Sequence, residues 1–244
     1  SVIGDSPKEQ GLCLTIGVSR YGCSPGIDNP ARELQRDGLM GFYDKFLLPR
    51  VVHFTCGLKP AMKQREKVVP HAVGRVLEIG IGSGLNIPFY DSEQVTHLWG
   101  LDPSADMWAI AKKNAEEHHL DAEFIESGAE SIPLESGIVD TVVMTYTMCT
   151  IPHVHQALEE VRRVLKPGGR LLFCEHGEAP DRNVQLWQRR MNPVWNVLGG
   201  GCNLNRPIPR LLETAGFTSN DMKTMYIPGW KPACFNYWGS AICS

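Results

Sequence analysis

Apolar runs and amphipathic segments alternate along the chain from Gly74 onwards. The segments "RVLEIGI", "IVDTVVMTYTM" and "RLLFCEH" are apolar or β-branched runs typical of buried strands, and "AEFIES" predicts a shorter strand. The segments "ADMWAIAKKNAEEHH" and "VHQALEEVRRVLKPGG" place apolar residues at helical spacing, and Pro and Gly end the second one. This alternation predicts an α/β fold with a mainly parallel, doubly wound sheet and helices on both faces.

The first 39 residues differ from the rest of the chain in composition and in hydrophobic periodicity. They are rich in Gly, Ser and Pro and show no sustained period, whereas from Met40 onwards Phe42, Phe46 and Val51 follow a helical spacing. We interpret residues 1–39 as a flexible N-terminal extension, which could be an artefact, and residues 40–244 as one folded domain. The alternative is an N-terminal lid that becomes ordered when a ligand binds.

Composition and charge narrow the classes of partner. The net charge of −3 gives no electrostatic reason to expect nucleic acid. The eight cysteines are scattered without a C-x-x-C pair, and the first residues show no secretory signal, so we expect a reducing, cytoplasmic location. No stretch approaches the ~20 apolar residues that span a bilayer, although a peripheral membrane contact stays open. The oligomeric state is not indicated.

A glycine-rich turn follows the first predicted strand in "VLEIGIGSGLNIPFY". Gly80, Gly82 and Gly84 permit unusual backbone angles and let a ligand approach the main chain closely. Glu78 precedes the glycines; its carboxylate would repel a pyrophosphate but suits an amine-bearing ligand. A second acid, Asp102, ends the next strand, where Rossmann-like sites bind ribose hydroxyls. The pattern therefore predicts a nucleoside-containing ligand with a cationic group.

Residues 74–176 resemble the class I S-adenosylmethionine-dependent methyltransferases, through "VLEIGIGSG", "GLDPS", "GAESIPLESGIVDTVV" and "EEVRRVLKPGGRLLFCEH". The segments "GFYDKFLLPRVVHFTCG" and "NPVWNVLGGGCNLNRPIPRLLETAGF" extend the resemblance to the methyltransferase-like seven family of alkyl thiol methyltransferases. The resemblance implies a Rossmann-like, mainly parallel seven-stranded sheet and S-adenosylmethionine as cofactor. It implies methyl transfer to a small apolar molecule, for which a thiol is the first choice. An amine, a phospholipid head group or a quinone-like phenol remains an alternative, as does a non-catalytic cofactor-binding protein.

The resemblance also assigns each part of the cofactor to a short segment. Many relatives carry an acid where this chain has Gly128, so adenine recognition here must depend on backbone groups and stacking. The implied contacts are Glu78 with Gly80, Gly82 and Gly84 for the methionine amino group, Asp102 with Pro103 and Ser104 for the ribose, Ala129 and Glu130 for the adenine, and Thr145 for the sulfonium.

Few residues could act as a general base. His176 ends the fifth predicted strand, and we expect it either to face the substrate as a base or orienter, or to make a structural hydrogen bond. A thiol acceptor would need little help from such a base, because part of it is already thiolate at neutral pH. Arg206 is the cation that we expect beside a carboxylate of the substrate or the cofactor. The stripe of Trp187 and Trp195 belongs either to the core or to an apolar lid.

No metal requirement is predicted. The sequence offers no dense group of Cys, His and carboxylates at ligand spacing. Cys149, Cys174 and Cys202 could gather near the strand ends, as arsenic-methylating enzymes require, but the paired cysteine spacings of that family are absent.

Overall fold

The computed structural model describes residues 56–219 and 221–243. The predicted extension over residues 1–39 and the helical segment after Met40 lie outside the described residues, so the proposed domain division stays a prediction. The strands are β1 (Gly74–Ile79), β2 (Val95–Asp102), β3 (Ala122–Glu126), β4 (Val139–Thr145), β5 (Leu165–His176), β6 (Phe217–Thr218), β7 (Lys223–Tyr226) and β8 (Phe235–Cys243).

Six α-helices connect or flank these strands in the described part of the chain. Short 3-10 turns at Val69–His71 and Ile87–Phe89 lie before β1 and before β2. The helices are α1 (Lys59–Arg65), α2 (Trp108–Glu117), α3 (Val154–Val164), α4 (Arg182–Leu198), α5 (Ile208–Thr214) and α6 (Lys231–Cys234).

The strands form one sheet in the order β3-β2-β1-β4-β5-β8-β6, with β7 also paired to β8. Strands β1 to β5 are parallel, and β8 runs antiparallel to β5, β6 and β7. Because β5 covers one edge of β8, β6 and β7 must share the other. The predicted seven positions across the sheet are therefore confirmed, and the eighth strand arises because the last position is split in two.

Alternating side chains of the central strands feed two separate apolar cores. Leu77, Met144 and Phe173 belong to the core that also contains residues of α3 and α5. Val143 and Leu172 point the other way, into the core that contains residues of α2 and of the segment before β1. This period of two in a strand buried on both sides confirms the predicted helices on both faces.

The order of the strands places the candidate site. The chain leaves β1 towards β2 on one side and enters β4 on the other, so the carboxyl ends of β1 and β4 form the switch point where open α/β sheets bind ligands. None of the helices in the described ranges is long and apolar enough to cross a lipid bilayer.

Candidate functional site

The glycine turn after β1 has the backbone that the sequence predicts. Gly80, Gly82 and Gly84 have φ angles of 73°, 49° and 76°, in the left-handed region where side chains are disfavoured. A Cβ built at Gly80 would lie 2.6 Å from Thr147 Oγ1, and one at Gly84 would lie 2.5 Å from Ile87 Cδ1. Gly80 and Gly84 are thus required by packing within the protein.

Gly82 differs from the other two glycines. Among the described residues, only Asp102 Oδ2 comes near a Cβ built there, at 4.0 Å. The described residues therefore leave the space beside Gly82 open to a ligand. The S-adenosylmethionine that the resemblance implies fits this turn, since a close backbone approach is the reason for such a glycine.

Asp102 ends β2 beside this open space. Its Oδ2 accepts a hydrogen bond from the Gly82 backbone N at 2.9 Å, and its Oδ1 accepts one from the Ser104 backbone N at 3.0 Å. A carboxylate oxygen has two acceptor sites, so both oxygens keep capacity for ligand hydroxyls. Burial raises the pKa of this carboxyl above its usual value. Pro103 and Ser104 are exposed next to it.

A buried polar network lies behind the turn. Glu78 Oε1 accepts from Asn86 Nδ2 at 3.0 Å, and Glu78 Oε2 accepts from the Tyr90 hydroxyl at 2.7 Å. Asn86 Nδ2 also donates to Thr145 Oγ1 at 2.9 Å. Arg65 donates through Nη1 to Asn86 Oδ1 at 2.9 Å and to Thr145 Oγ1. The network joins α1, the glycine turn and the end of β4.

Two charges of opposite sign are buried in this network. Glu78 is 2% exposed and Arg65 is 4% exposed. Burial raises the pKa of Glu78 to about 7, against the opposing effects of the Tyr90 hydrogen bond, the Arg65 charge and the Asn86 hydrogen bond. Arg65 Nε is buried without a hydrogen-bond partner among the described residues. The guanidinium therefore has a free donor that a carboxylate could fill.

The end of β4 carries backbone strain. Tyr146 has φ of 56°, which is unusual for a side chain of this size and typical of functional sites. Its hydroxyl donates to Asn236 Oδ1 at 2.7 Å, and the Arg65 guanidinium carbon lies 5.2 Å from its ring centre. The following peptide is fixed by Glu175, whose Oε1 accepts from the backbone N of Thr147 at 2.8 Å.

The segment implied for adenine is partly engaged by the fold. Ala129 is buried, and Glu130 Oε1 accepts a hydrogen bond from the backbone N of His153 at 3.2 Å, at the start of α3. The backbone O of Glu130 accepts from Gln156 Nε2 at 3.0 Å. The Glu130 carboxylate thus caps a helix, and the contact of Ala129 and Glu130 with an adenine stays a prediction.

His176 lies at the predicted edge of the sheet, and its neighbours are cysteines. Its Nε2 is 3.2 Å from Cys202 Sγ, and its Nδ1 is buried with no described hydrogen-bond partner. Ligand atoms of Cys149, His176 and Cys202 all lie within 4.8 Å of one another. Three Cys and His side chains therefore gather in space, which their spacing along the chain does not indicate. Cys174 does not join the group, because it belongs to the core on the side of α2.

Two further expectations about this edge concern Arg206 and the tryptophans. Arg206 Nη2 donates to the backbone O of Ile151 at 2.9 Å, and its Nε is buried without a hydrogen-bond partner among the described residues, so its contact with a carboxylate stays a prediction. Arg65 is a second cation, and it lies in the polar network. Trp187 is 56% exposed and does not belong to the core. Trp195 donates through Nε1 to Cys202 Sγ at 3.3 Å and packs against Trp230, with ring centres 5.7 Å apart.

Sequence reasoning missed several residues of this site. Asn86 and Tyr90 lie within the quoted glycine segment, and a polar residue just after a glycine turn was the signal available for them. Arg65 is 80 positions from its partner Thr145, and neither its spacing nor its neighbours mark it. Its role follows only from the fold.

Comparison with known proteins agrees with this geometry. The profile of a methyltransferase domain family, described as "Methyltransferase domain", matches residues 77–173. The chain is 34% identical to human thiol S-methyltransferase TMT1B over 75% of this chain and 80% of that protein. It is 34% identical to the rat TMT1B over 66% of this chain, and there it spans 65% of the relative's length.

A solved structure shares the fold. A SAM-dependent methyltransferase from Thermotoga maritima, described as a possible histamine N-methyltransferase, superposes with a TM-score of 0.58 at 20% identity. The match covers 84% of this chain and all of that one. With the glycine turn, the strand-end acids and the sequence identity taken together, the chain belongs to the S-adenosylmethionine-dependent methyltransferase family that includes the thiol S-methyltransferases TMT1A and TMT1B.

Proposed function

We propose that the protein transfers the methyl group of S-adenosylmethionine to the sulfur of a small, mostly apolar thiol. The observation that carries this proposal is the sequence identity of 34% between this chain and a relative named as a thiol S-methyltransferase, over 75% of the chain. The site supports it, because polarizable thiol and indole side chains surround the end of β5. These side chains belong to Cys149, Cys202, Trp195 and Trp230. An amine, a phospholipid head group and a quinone-like phenol are the alternative acceptors.

Each part of the cofactor has a candidate partner in the described site. S-adenosylmethionine supplies an activated methyl group on a sulfonium sulfur when it is bound. Asp102 would accept hydrogen bonds from the ribose hydroxyls, flanked by Pro103 and Ser104, and Ala129 with the Glu130 backbone would hold the adenine. Gly80, Gly82 and Gly84 shape the turn, Glu78 would hold the methionine amino group, Arg65 would hold its carboxylate, and Thr145 is the residue implied for the sulfonium.

The protein's main contribution to the reaction is to position the acceptor and exclude water. His176 is the candidate orienter of the acceptor, since its Nε2 lies 3.2 Å from Cys202 Sγ at the end of β5. A thiol acceptor suits this site because it needs little proton abstraction.

A panel of acceptors tests this proposal. Matched aromatic thiols, phenols and amines are assayed with the purified protein, and formation of the methylated product is followed by mass spectrometry. We expect the thiols to give the highest kcat/KM, with a rate that rises with pH towards the pKa of each thiol. Phenols or amines that react far better than every thiol would contradict the proposal.

Cofactor affinity is expected to depend on pH through Glu78. Its pKa of about 7 lies above the ordinary value, so the free protein carries a neutral carboxyl below that pH. The cationic amino group of the cofactor favours the ionised form, so binding releases a proton. Affinity should therefore rise about tenfold per pH unit up to about pH 7 and then level off. Calorimetry in two buffers with different ionisation heats measures both quantities.

Two isosteric variants check the assignment to Glu78. Glu78→Gln cannot ionise, so its weaker binding should be flat over the same pH interval. Glu175→Gln is the matched control, because burial also raises the pKa of Glu175 to about 7 but its Oε1 is occupied by the backbone N groups of Thr147 and Met148. A pH dependence that survives in Glu78→Gln and disappears in Glu175→Gln would place the titrating group elsewhere.

Location and wider partners are part of the same proposal. We place the protein in the cytoplasm, which the six free cysteines of the described residues support. The net charge of −3 supports a small-molecule acceptor rather than a nucleic acid. A peripheral membrane contact is compatible with exposed Trp187 and Leu198 on α4.

A further inference from the structure

Three metal-ligating side chains converge at the edge of the sheet where the proposed acceptor binds. Cys149 follows the end of β4, His176 is the last residue of β5, and Cys202 lies in the turn after α4. They come from three parts of the chain, and one ligand atom of each lies within 4.8 Å of the other two. Spacing along the chain does not indicate this group, and the cofactor contacts do not use it.

The fold holds the three residues in place. The backbone N of Asn203 donates to the backbone O of Cys149 at 2.9 Å, and Asn203 Nδ2 donates to the same oxygen at 3.0 Å. These two bonds join the turn of Cys202 to the segment of Cys149. His176 is in register with Asn236 of β8, so its backbone is fixed by the sheet. The group is therefore assembled before any ligand arrives.

A group that can donate a hydrogen bond lies beside each sulfur atom, although Cys149 Sγ, as a thiol, also donates to the backbone O of Tyr146 at 3.6 Å. Trp195 Nε1 donates to Cys202 Sγ at 3.3 Å. Thr150 Oγ1 lies 3.4 Å from Cys149 Sγ and can donate to it. Hydrogen-bond donors to the ligands are typical of metal sites, where they orient the ligands and share their negative charge.

We infer that Cys149, His176 and Cys202 form a site for a thiophilic divalent cation, of which Zn²⁺ fits best. Tetrahedral Zn²⁺ with Zn–S of about 2.3 Å and Zn–N of about 2.0 Å puts its ligand atoms about 3.5–3.8 Å apart. The 3.2 Å between His176 Nε2 and Cys202 Sγ is close to that range. The three ligands among the described residues leave a fourth position open, which is typical of catalytic rather than structural zinc.

The open position gives the site a role in the reaction, and this role rests on the proposed thiol acceptor. The acceptor R–SH binds the metal through sulfur and loses its proton to solvent, because coordination favours the thiolate. The thiolate sulfur then forms a bond to the methyl carbon, and the bond from that carbon to the sulfonium sulfur breaks. The electron pair stays on the cofactor sulfur, which becomes a neutral thioether, and the products are R–S–CH₃ and S-adenosylhomocysteine.

Cys56 distinguishes an open site from a closed one. It is a half-buried free thiol that does not belong to the ligand group. If Cys56 were a fourth ligand, the metal would be fully coordinated and could not accept a thiol. An open site requires that Cys56 be dispensable for metal binding.

Cobalt substitution tests the inference without reference to catalysis. The full chain is reduced, stripped with a chelator and titrated with Co²⁺, whose absorption reports thiolate coordination and tetrahedral geometry. We expect one equivalent to bind with a thiolate charge-transfer band, and Zn²⁺ to displace it. Cys149→Ala, Cys202→Ala and His176→Ala should each lose the tetrahedral spectrum, whereas Cys56→Ala and the distant Cys243→Ala should keep it. Circular dichroism verifies that each variant is folded.

Addition of an aromatic thiol separates this inference from the proposed function. The thiol should change the cobalt spectrum of the wild type by adding a second kind of sulfur ligand. Thiol methylation by a protein that binds neither Co²⁺ nor Zn²⁺ would overturn the metal site and leave the proposed function intact. Stoichiometric metal binding without thiol methylation would overturn the proposed function and leave the metal site intact. Loss of the spectrum in Cys56→Ala, or a Cys149–Cys202 disulfide in place of metal binding, would also overturn the open site.

Discussion

Replacement of Gly82 by alanine is expected to abolish measurable cofactor binding while the protein stays folded. The left-handed backbone at this position costs an alanine about 1–2 kcal/mol, which a domain of this size tolerates. The new methyl group meets no described atom closer than 4.0 Å, so it occupies the space proposed for the cofactor. We expect the affinity to fall by about 100-fold or more, equivalent to about 3 kcal/mol. Isothermal titration calorimetry and thermal melting measure the two effects.

Gly84→Ala is the matched control for that change. Its Cβ would lie 2.5 Å from Ile87 Cδ1 and 3.1 Å from the Cα of Ala111 in α2. Overpacking of about 1–3 kcal/mol then adds to the backbone strain. Gly84→Ala should therefore lower the melting temperature clearly more than Gly82→Ala does. Wild-type cofactor affinity in a folded Gly82→Ala protein would disprove the assignment of this turn to the cofactor.

Replacement of Arg65 by methionine should have the second largest effect. Methionine fills much of the same volume but removes the donors to Asn86 Oδ1 and Thr145 Oγ1. Hydrogen bonds from a charged group contribute about 1.5–3 kcal/mol, so the free energy of unfolding should fall by about that amount. The proposed contact with the cofactor carboxylate is lost as well, and the affinity should fall about 10- to 100-fold. Denaturant unfolding and calorimetry measure the two quantities.

The pKa of Glu78 separates the role of Arg65 in the site from a merely structural one. The Arg65 charge lowers the pKa of Glu78, so Arg65→Met should move the midpoint of the pH-dependent binding to higher pH. Lys63→Met, which removes a cation from the exposed side of the same helix, should change neither the midpoint nor the affinity. If Arg65→Met lost stability but kept wild-type affinity, the carboxylate contact would be refuted.

The fold could be predicted from the sequence because its signals are local. Short apolar runs stand inside β1, β4 and β5, the amphipathic period of α3 is regular, and the glycine turn joins a strand to the segment before the next one. Each signal lies within a window of about fifteen residues. The positions of Gly80, Gly82 and Asp102 follow from the same local pattern.

The rest of the site could not be predicted, because its contacts join distant parts of the chain. Arg65 reaches Thr145 only when α1 packs behind the glycine turn. Nothing in the sequence of α1 distinguishes this arginine from an ordinary exposed one. Cys149, His176 and Cys202 stand 27 and 26 positions apart, and the fold alone brings them together. Sequence spacings that indicate a metal site apply to ligands on one loop or helix. They therefore do not indicate a ligand group whose members come from three separate segments.

A single acceptor that carries both a thiol and a phenol tests the central claim most directly. The protein is incubated with 4-mercaptophenol and S-adenosylmethionine labelled with ¹³C in its methyl group, and the product is identified by NMR and mass spectrometry. A reaction with the Gly82→Ala protein measures the uncatalysed background. We expect the label to appear as an S-methyl thioether well above that background. Label found chiefly as an O-methyl ether, or S-methylation no faster than the background, would contradict thiol methylation.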